Sequence, residues 1–270
     1  MITMADKSDS PNIAITPVQP DDALDRNVTE NIPGALRGEV WLTLQTRHAQ
    51  RIFMGRKATA DKPYIIGLTR FGAIVSQIHV CTYMDDPWAD WWLIKIEEAL
   101  EKSEHEVKRL REVVEARIKN TPGMEVKIAE SLEPIRLPLQ FRNPYAYQAA
   151  RIIAEFDVLV RGVLTARHIG LMDRRGGERY RELGARALRR ALGTALGFKY
   201  QGVKRQDVRD GNAKAQQARE RLGDVPTDVL EGTRRARFAP ECRELRHATD
   251  ARLFTRARSL VPRWGAPNQA

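Results

Sequence analysis

Residues 135–156 read IRLPLQFRNPYAYQAARIIAEF, and their period changes partway along. Ile135, Leu137, Leu139 and Phe141 are apolar, while Arg136, Pro138, Gln140 and Arg142 are not. That two-residue alternation is the mark of a strand with one buried face. Asn143-Pro144 then switches the period to that of a helix. Ala149, Ile152, Ile153, Phe156, Leu159, Val160, Val163 and Leu164 place an amphipathic helix up to about His168. DRRGG at 173–177 reads as a turn. A second helix is expected from about Gly177 to Gly197, with Tyr180, Leu183, Ala187, Leu188, Ala191, Leu192 and Ala195 inward and Arg179, Arg181, Arg186, Arg189 and Arg190 outward.

Strand, helix, turn and helix is the order of a ribbon-helix-helix DNA-binding unit. One short strand is not stable alone. Two copies in a homodimer could pair antiparallel, bury the Ile135, Leu137, Leu139 and Phe141 face, and present the other face to a major groove, which admits a two-stranded ribbon. Arg136, Gln140 and Arg142 are then the candidate base readers, because Arg bridges guanine O6 and N7 and Gln bridges adenine N6 and N7. Pro138 has no amide hydrogen and must occupy a non-hydrogen-bonded position. Free amides near Gly176, Gly177 and Glu178 would make an anion site, with Arg174, Arg175 and Arg179 as the phosphate-binding residues.

The competing arrangement is equally weighted. The 135–141 strand pairs inside the chain with VWLTLQT at 40–46, which has Val40, Leu42 and Leu44 on one face and Trp41, Thr43 and Gln45 on the other. A short helix from about Thr46 follows, carrying Arg47 and Arg51, which makes these two a second and weaker set of DNA candidates. A buried helix is expected from about Leu68. Asp86 caps the next, with Pro87 in its first position. That helix runs to about Asn120, with Leu93, Ile96, Leu100, Val107, Leu110 and Val114 forming a coiled-coil-like seam, either intramolecular or dimeric. VKRQDVRDGNAKAQQARERLG at 203–223 reads as one polar surface helix. DVPTDVLEGTRRARF should form one short helical turn and then a basic loop. No internal repeat is evident.

The 270 residues allow one large domain or two small ones, 42% hydrophobic and 30% charged. Four regions are expected: a disordered leader over 1–34, a strand with helices over 35–134, a basic strand-helix-helix region over 135–223, and a basic tail over 224–270. The fold class is α+β, mostly α, with a ribbon-helix-helix-like unit embedded in a larger helical domain. Residues 1–134 carry 17 basic and 21 acidic residues, a net −4; residues 135–270 carry 28 and 14, a net +14. A local field of that kind suits a phosphate backbone. Codon bias accounts for Arg over Lys but not for this segregation. The absence of a long apolar run and the presence of only Cys81 and Cys242 point to a cytoplasmic protein with free thiols, nucleoid-associated if it binds DNA.

No catalytic, metal or cofactor motif is present: no GxxxxGK, HExxH, CxxC or GxSxG, and five scattered histidines. Asp85, Asp86 and Asp90 read as a capped helix start rather than as metal ligands. Trp88, Trp91 and Trp92, in acidic surroundings, read as core or interface.

As a set, LRGEVWLTLQTRHAQRIF, DPWADWWLIKIEEAL, PLQFRNPYAY, VLTARHIGLMDRR and DVLEGTRRARFAP resemble the integrating conjugative element protein family named after a Pseudomonas fluorescens locus, grouped with AcaB-like transcriptional regulators. The resemblance covers about residues 36–240. For the AcaB branch it implies a DNA-binding activator of conjugative transfer genes, related in structure to ribbon-helix-helix proteins; RNA polymerase or other conjugation proteins are candidate further partners. It carries over no base-contacting residue. The alternatives are a non-specific DNA-associated accessory factor of conjugative processing and a protein-interaction scaffold using the 87–120 and 203–223 helices.

Overall fold

The computed structural model describes residues 38–242. The leader over 1–34 and the last part of the basic tail lie outside the described residues. Among the described residues there are two strands, β1 (Val40–Leu44) and β2 (Ile135–Leu139), and eight α-helices. These are α1 (Arg47–Met54), α2 (Leu68–Tyr83), α3 (Pro87–Lys119), α4 (Pro144–His168), α5 (Arg174–Thr194), α6 (Arg205–Arg209), α7 (Ala213–Leu222) and α8 (Thr227–Leu230), with a 3₁₀ turn at Ala195–Gly197. The class is α+β and mostly α, a small sheet followed by helices.

β2 pairs with β1 of its own chain, antiparallel, with Leu42 opposite Leu137 at the centre of the ladder. This corrects the pairing between two copies. The reason is the burial of both apolar faces at once. Leu42, Leu44 and Leu139 are buried in the common core and Leu137 is half-buried, whereas Val40 and Ile135, at the ladder's ends, stay exposed. Pro138 sits opposite Trp41, a position that must be non-hydrogen-bonded. Trp41, Thr43, Arg136, Pro138 and Gln140 form the wet face.

The heptad seam of α3 is intramolecular. Leu93, Ile96, Leu100, Val107, Leu110 and Val114 are buried against α4 and α5, and Ser103 is buried among them. Ile118 continues the stripe where Arg117 turns outward. Both features that suggested a dimer are thus satisfied within one chain. Asp86 caps α3, accepting from the amides of Trp88 and Ala89 at 2.9 and 3.2 Å, with Pro87 at the first position. No described helix is long and apolar enough to cross a membrane.

Two boundaries differ from the sequence reading. α5 begins at Arg174, three residues earlier than the expected Gly177, because Asp173 caps it and holds the Gly176 amide at 2.9 Å. The expected 203–223 helix is two helices, α6 and α7, broken at Gly211, whose φ of +63° no interior helical residue adopts. Nor is this region all surface: Val203, Arg205, Ala215 and Ala218 are buried.

Arg205 organises that packing. Its guanidinium pairs with Asp85 and with Asp90, which is fully buried, and donates to the carbonyls of Val229 and Leu230 at 3.0 Å. Arg235 pairs with the other Asp90 oxygen at 3.1 Å, and Arg234 with Glu98 at 2.8 Å. The Asp85, Asp86 and Asp90 cluster is therefore a cap plus two ion-pair partners. Trp88 and Trp92 are core, donating to the carbonyls of Gly223 and Thr194 at 2.9 and 3.0 Å.

Candidate nucleic-acid interface

Each strand runs straight into a capped helix. Thr46 caps α1, accepting from the Ala49 amide at 3.2 Å, and Asn143 caps α4, accepting from Ala146 at 2.8 Å. Asn143 also donates to the Gly72 carbonyl and to Ser76 Oγ, tying the β2–α4 corner to α2. The β1–α1 corner is held by Asp157 of α4. Its carboxylate accepts from the amides of Gln45 and Thr46 at 2.8 and 2.9 Å and from the Thr46 hydroxyl at 2.6 Å. The ribbon is thus fixed to α4 at both exits.

On the wet face the Arg136 guanidinium lies 5.1 Å from the centroid of the Trp41 indole. Arg stacked on an indole is held out of random motion while its edge stays available for hydrogen bonds. Gln140 and Arg142 are exposed just beyond β2. Arg142 lines an open hollow of about 450 Å³ together with Phe141, Tyr147, Phe238 and Arg151. Arg151 was not singled out in the sequence; its only signal was a basic position within two turns of the helix start.

Because the strands are antiparallel, their exits lie at opposite ends of the ladder. The β1 exit leads to Arg47 and Arg51, both exposed on α1. Arg181 of α5 brings its Nη1 to 3.5 Å from His48 Nε2. Burial first, and then Arg181 and Arg51, hold the His48 pKa below its ordinary value. Arg174 pairs with Glu178 at 3.0 Å and holds that carboxylate low; Arg181 and Arg167 act on it in the same direction. Arg175 and Arg179 are exposed. α1 and α5 thus continue the β1 end of the ribbon as a basic surface.

The amide site expected at Gly176 and Gly177 is not open. The Gly176 amide donates to the Asp173 carboxylate and the Gly177 amide to the Asp173 carbonyl at 3.1 Å. A cap that brings its own negative charge disfavours a phosphate there. Gly177 serves packing instead: a Cβ would come within 2.5 Å of the Arg167 stem. The charge segregation also has a partly structural origin, since Arg205, Arg234 and Arg235 neutralise acids of the α2–α3 corner and α3. Among the described residues no group of three or more His, Cys, Asp or Glu could hold a metal.

A short antiparallel ribbon resting on a helical body, with arginines at both ends, defines the class: a mostly helical α+β protein presenting a two-stranded ribbon. The chain belongs to the AcaB transcriptional regulator family, whose model matches residues 32–243. It is similar to the crystal structure of selenomethionine-containing AcaB from uropathogenic E. coli, with a TM-score of 0.51 and 16% identity over 73% of this chain and 98% of that one. No curated protein matches.

Proposed function

We propose that the chain is a sequence-specific double-stranded DNA-binding regulator that controls transfer genes of a mobile conjugative element. The observation that carries this reading is the exposed ribbon face on which Arg136 stacks over Trp41. A two-stranded ribbon has the width to enter a major groove. Arg136, Gln140 and Arg142 read base edges from it. Arg174, Arg175 and Arg179 hold phosphates beyond the β1 exit, through their side chains rather than through helix amides, and Arg47 and Arg51 add further DNA contacts there. Membership of a family of transcriptional regulators supports the regulatory role, and the resemblance to conjugative element proteins supports the choice of target genes.

The test is selection from a randomised duplex library at about 150 mM salt, where binding through phosphates alone is already weakened. Recovery of one motif supports a specific regulator. Binding without enrichment overturns specificity and leaves a DNA-associated accessory factor; no binding overturns the DNA reading in favour of a protein scaffold.

A further inference from the structure

The ladder's centre, Leu42 opposite Leu137, fixes a local two-fold axis and therefore which residues are mates across it. Mates differ by 95 in number (137 − 42), with no freedom to slide. Written in that register, VWLTLQTR at 40–47 lies over IRLPLQFR at 135–142. Leu42 matches Leu137, Leu44 matches Leu139, Gln45 matches Gln140 and Arg47 matches Arg142, and Val40 corresponds to its close homologue Ile135. Each segment then enters a side-chain-capped helix and, after it, a second one: β1–α1–α2 and β2–α4–α5. An internal repeat is present after all, short and separated by the whole of α3.

We infer that the ribbon is a two-fold reading head built within one chain, in which Arg47 contacts one half of a single DNA site as its mate Arg142 contacts the other. The inference rests on the DNA-binding reading above and adds a site symmetry, a residue and a stoichiometry to it. Both arginines are exposed, stand five positions beyond the ladder's central pair, and have no ion-pair partner among the described residues. Antiparallel pairing sends them to opposite ends of the ribbon. The symmetry is imperfect in ways that shape the site. Gln45 Oε1 accepts from the Ser131 amide at 2.8 Å, whereas Gln140 is exposed, and Trp41 stands where its mate is Arg136. The two half-motifs are therefore related but unequal: a guanine at mirror positions, opposite the two arginines, with different bases between.

The experiment is library selection with the wild-type chain, Arg47→Ala and Arg142→Ala, with native mass measurement on the selected duplex. Both substitutions are at exposed positions, and circular dichroism checks the fold. The expected wild-type motif has inverted related halves, bound by one chain. Arg47→Ala loses the preferred guanine in one half and Arg142→Ala in the other. Three results overturn the inference while leaving specific DNA binding intact: a motif without inverted halves, both variants relaxing the same position, or Arg47→Ala leaving the motif unchanged. Two chains on one undivided motif overturn it equally. If the wild-type chain enriches nothing, the DNA reading falls and this inference with it.

Discussion

Asp157, buried in the middle of α4, accepts hydrogen bonds from both the amide and the hydroxyl of Thr46, at 2.9 and 2.6 Å. The same carboxylate also receives the Gln45 amide, so one side chain ends β1, starts α1 and fixes both to the central helix. Hydrogen bonds to a charged acceptor contribute about 1.5–3 kcal/mol each, and an unmatched buried donor costs a further amount. Asp157→Asn keeps the shape but turns one accepting oxygen into a donor facing donors. It should lower stability by about 2–4 kcal/mol in urea unfolding; a loss below about 0.5 kcal/mol would show that the clamp does not hold this corner.

The pairing of Arg205 with Asp90 sets a second expectation. Asp90 is fully buried, so removing Arg205 leaves its carboxylate with Arg235 as its one remaining cation and takes the donor from Asp85 and from the carbonyls of Val229 and Leu230. Breaking one side of such a pair costs about 3–5 kcal/mol. Because Arg235 still faces Asp90, Arg205→Ala should fall at the low end of that range, about 3 kcal/mol, by chemical denaturation. It should also expose the 203–242 segment to limited proteolysis while leaving α3, α4 and α5 protected.

Asp86 gives a pH dependence. Burial pushes its carboxyl up to about 7, against the pull of the Trp88 and Ala89 amides that it caps. Between about pH 4 and 7 the folded chain then holds a proton that the unfolded chain has lost. By linkage, this group makes stability fall as pH rises through that window. Burial pushes His79 down to about 4, and it acts in the opposite direction below about pH 6.5. The isolating measurement is therefore a difference. Asp86→Asn, which keeps an acceptable cap, should gain stability relative to the parent as pH goes from 5 to 8. A constant difference would contradict the raised value.

Two ribbon and surface variants should separate reading from holding. Gln140→Ala should change sequence preference with little loss of general binding. Arg175→Ala should weaken all sequences alike and reduce the salt slope of log K by about one. Identical behaviour of the two variants in salt-titrated binding would contradict their assigned roles.

Much of the fold was legible because it is written locally. Period-two alternation marks both strands, and Thr46, Asp86 and Asn143 mark helix starts by their own side-chain chemistry. What was not legible depends on partners distant in sequence. No local pattern says whether β2 meets β1 or a second copy of itself, since either choice buries the same leucines. Arg205 looks like any basic residue on a polar helix until Asp85 and Asp90 are brought to it from 115 to 120 residues away. The start of α5 was misplaced because a DRRGG segment reads as a turn; the Asp173 cap turns it into a first helical turn. The eight-residue repeat is masked because α1 begins at Arg47 and α4 only at Pro144, two positions later in the repeat, so the matched strands lead into differently phased helices.

Guanine N7 methylation on the selected duplex reports whether the β1–β2 ribbon enters a major groove. The bound chain should protect N7, which lies in the major groove, and Arg142→Ala should restore methylation at one of the protected guanines. Protection confined to minor-groove adenine N3, or an N7 pattern that ignores Arg136→Ala and Arg142→Ala, would contradict it.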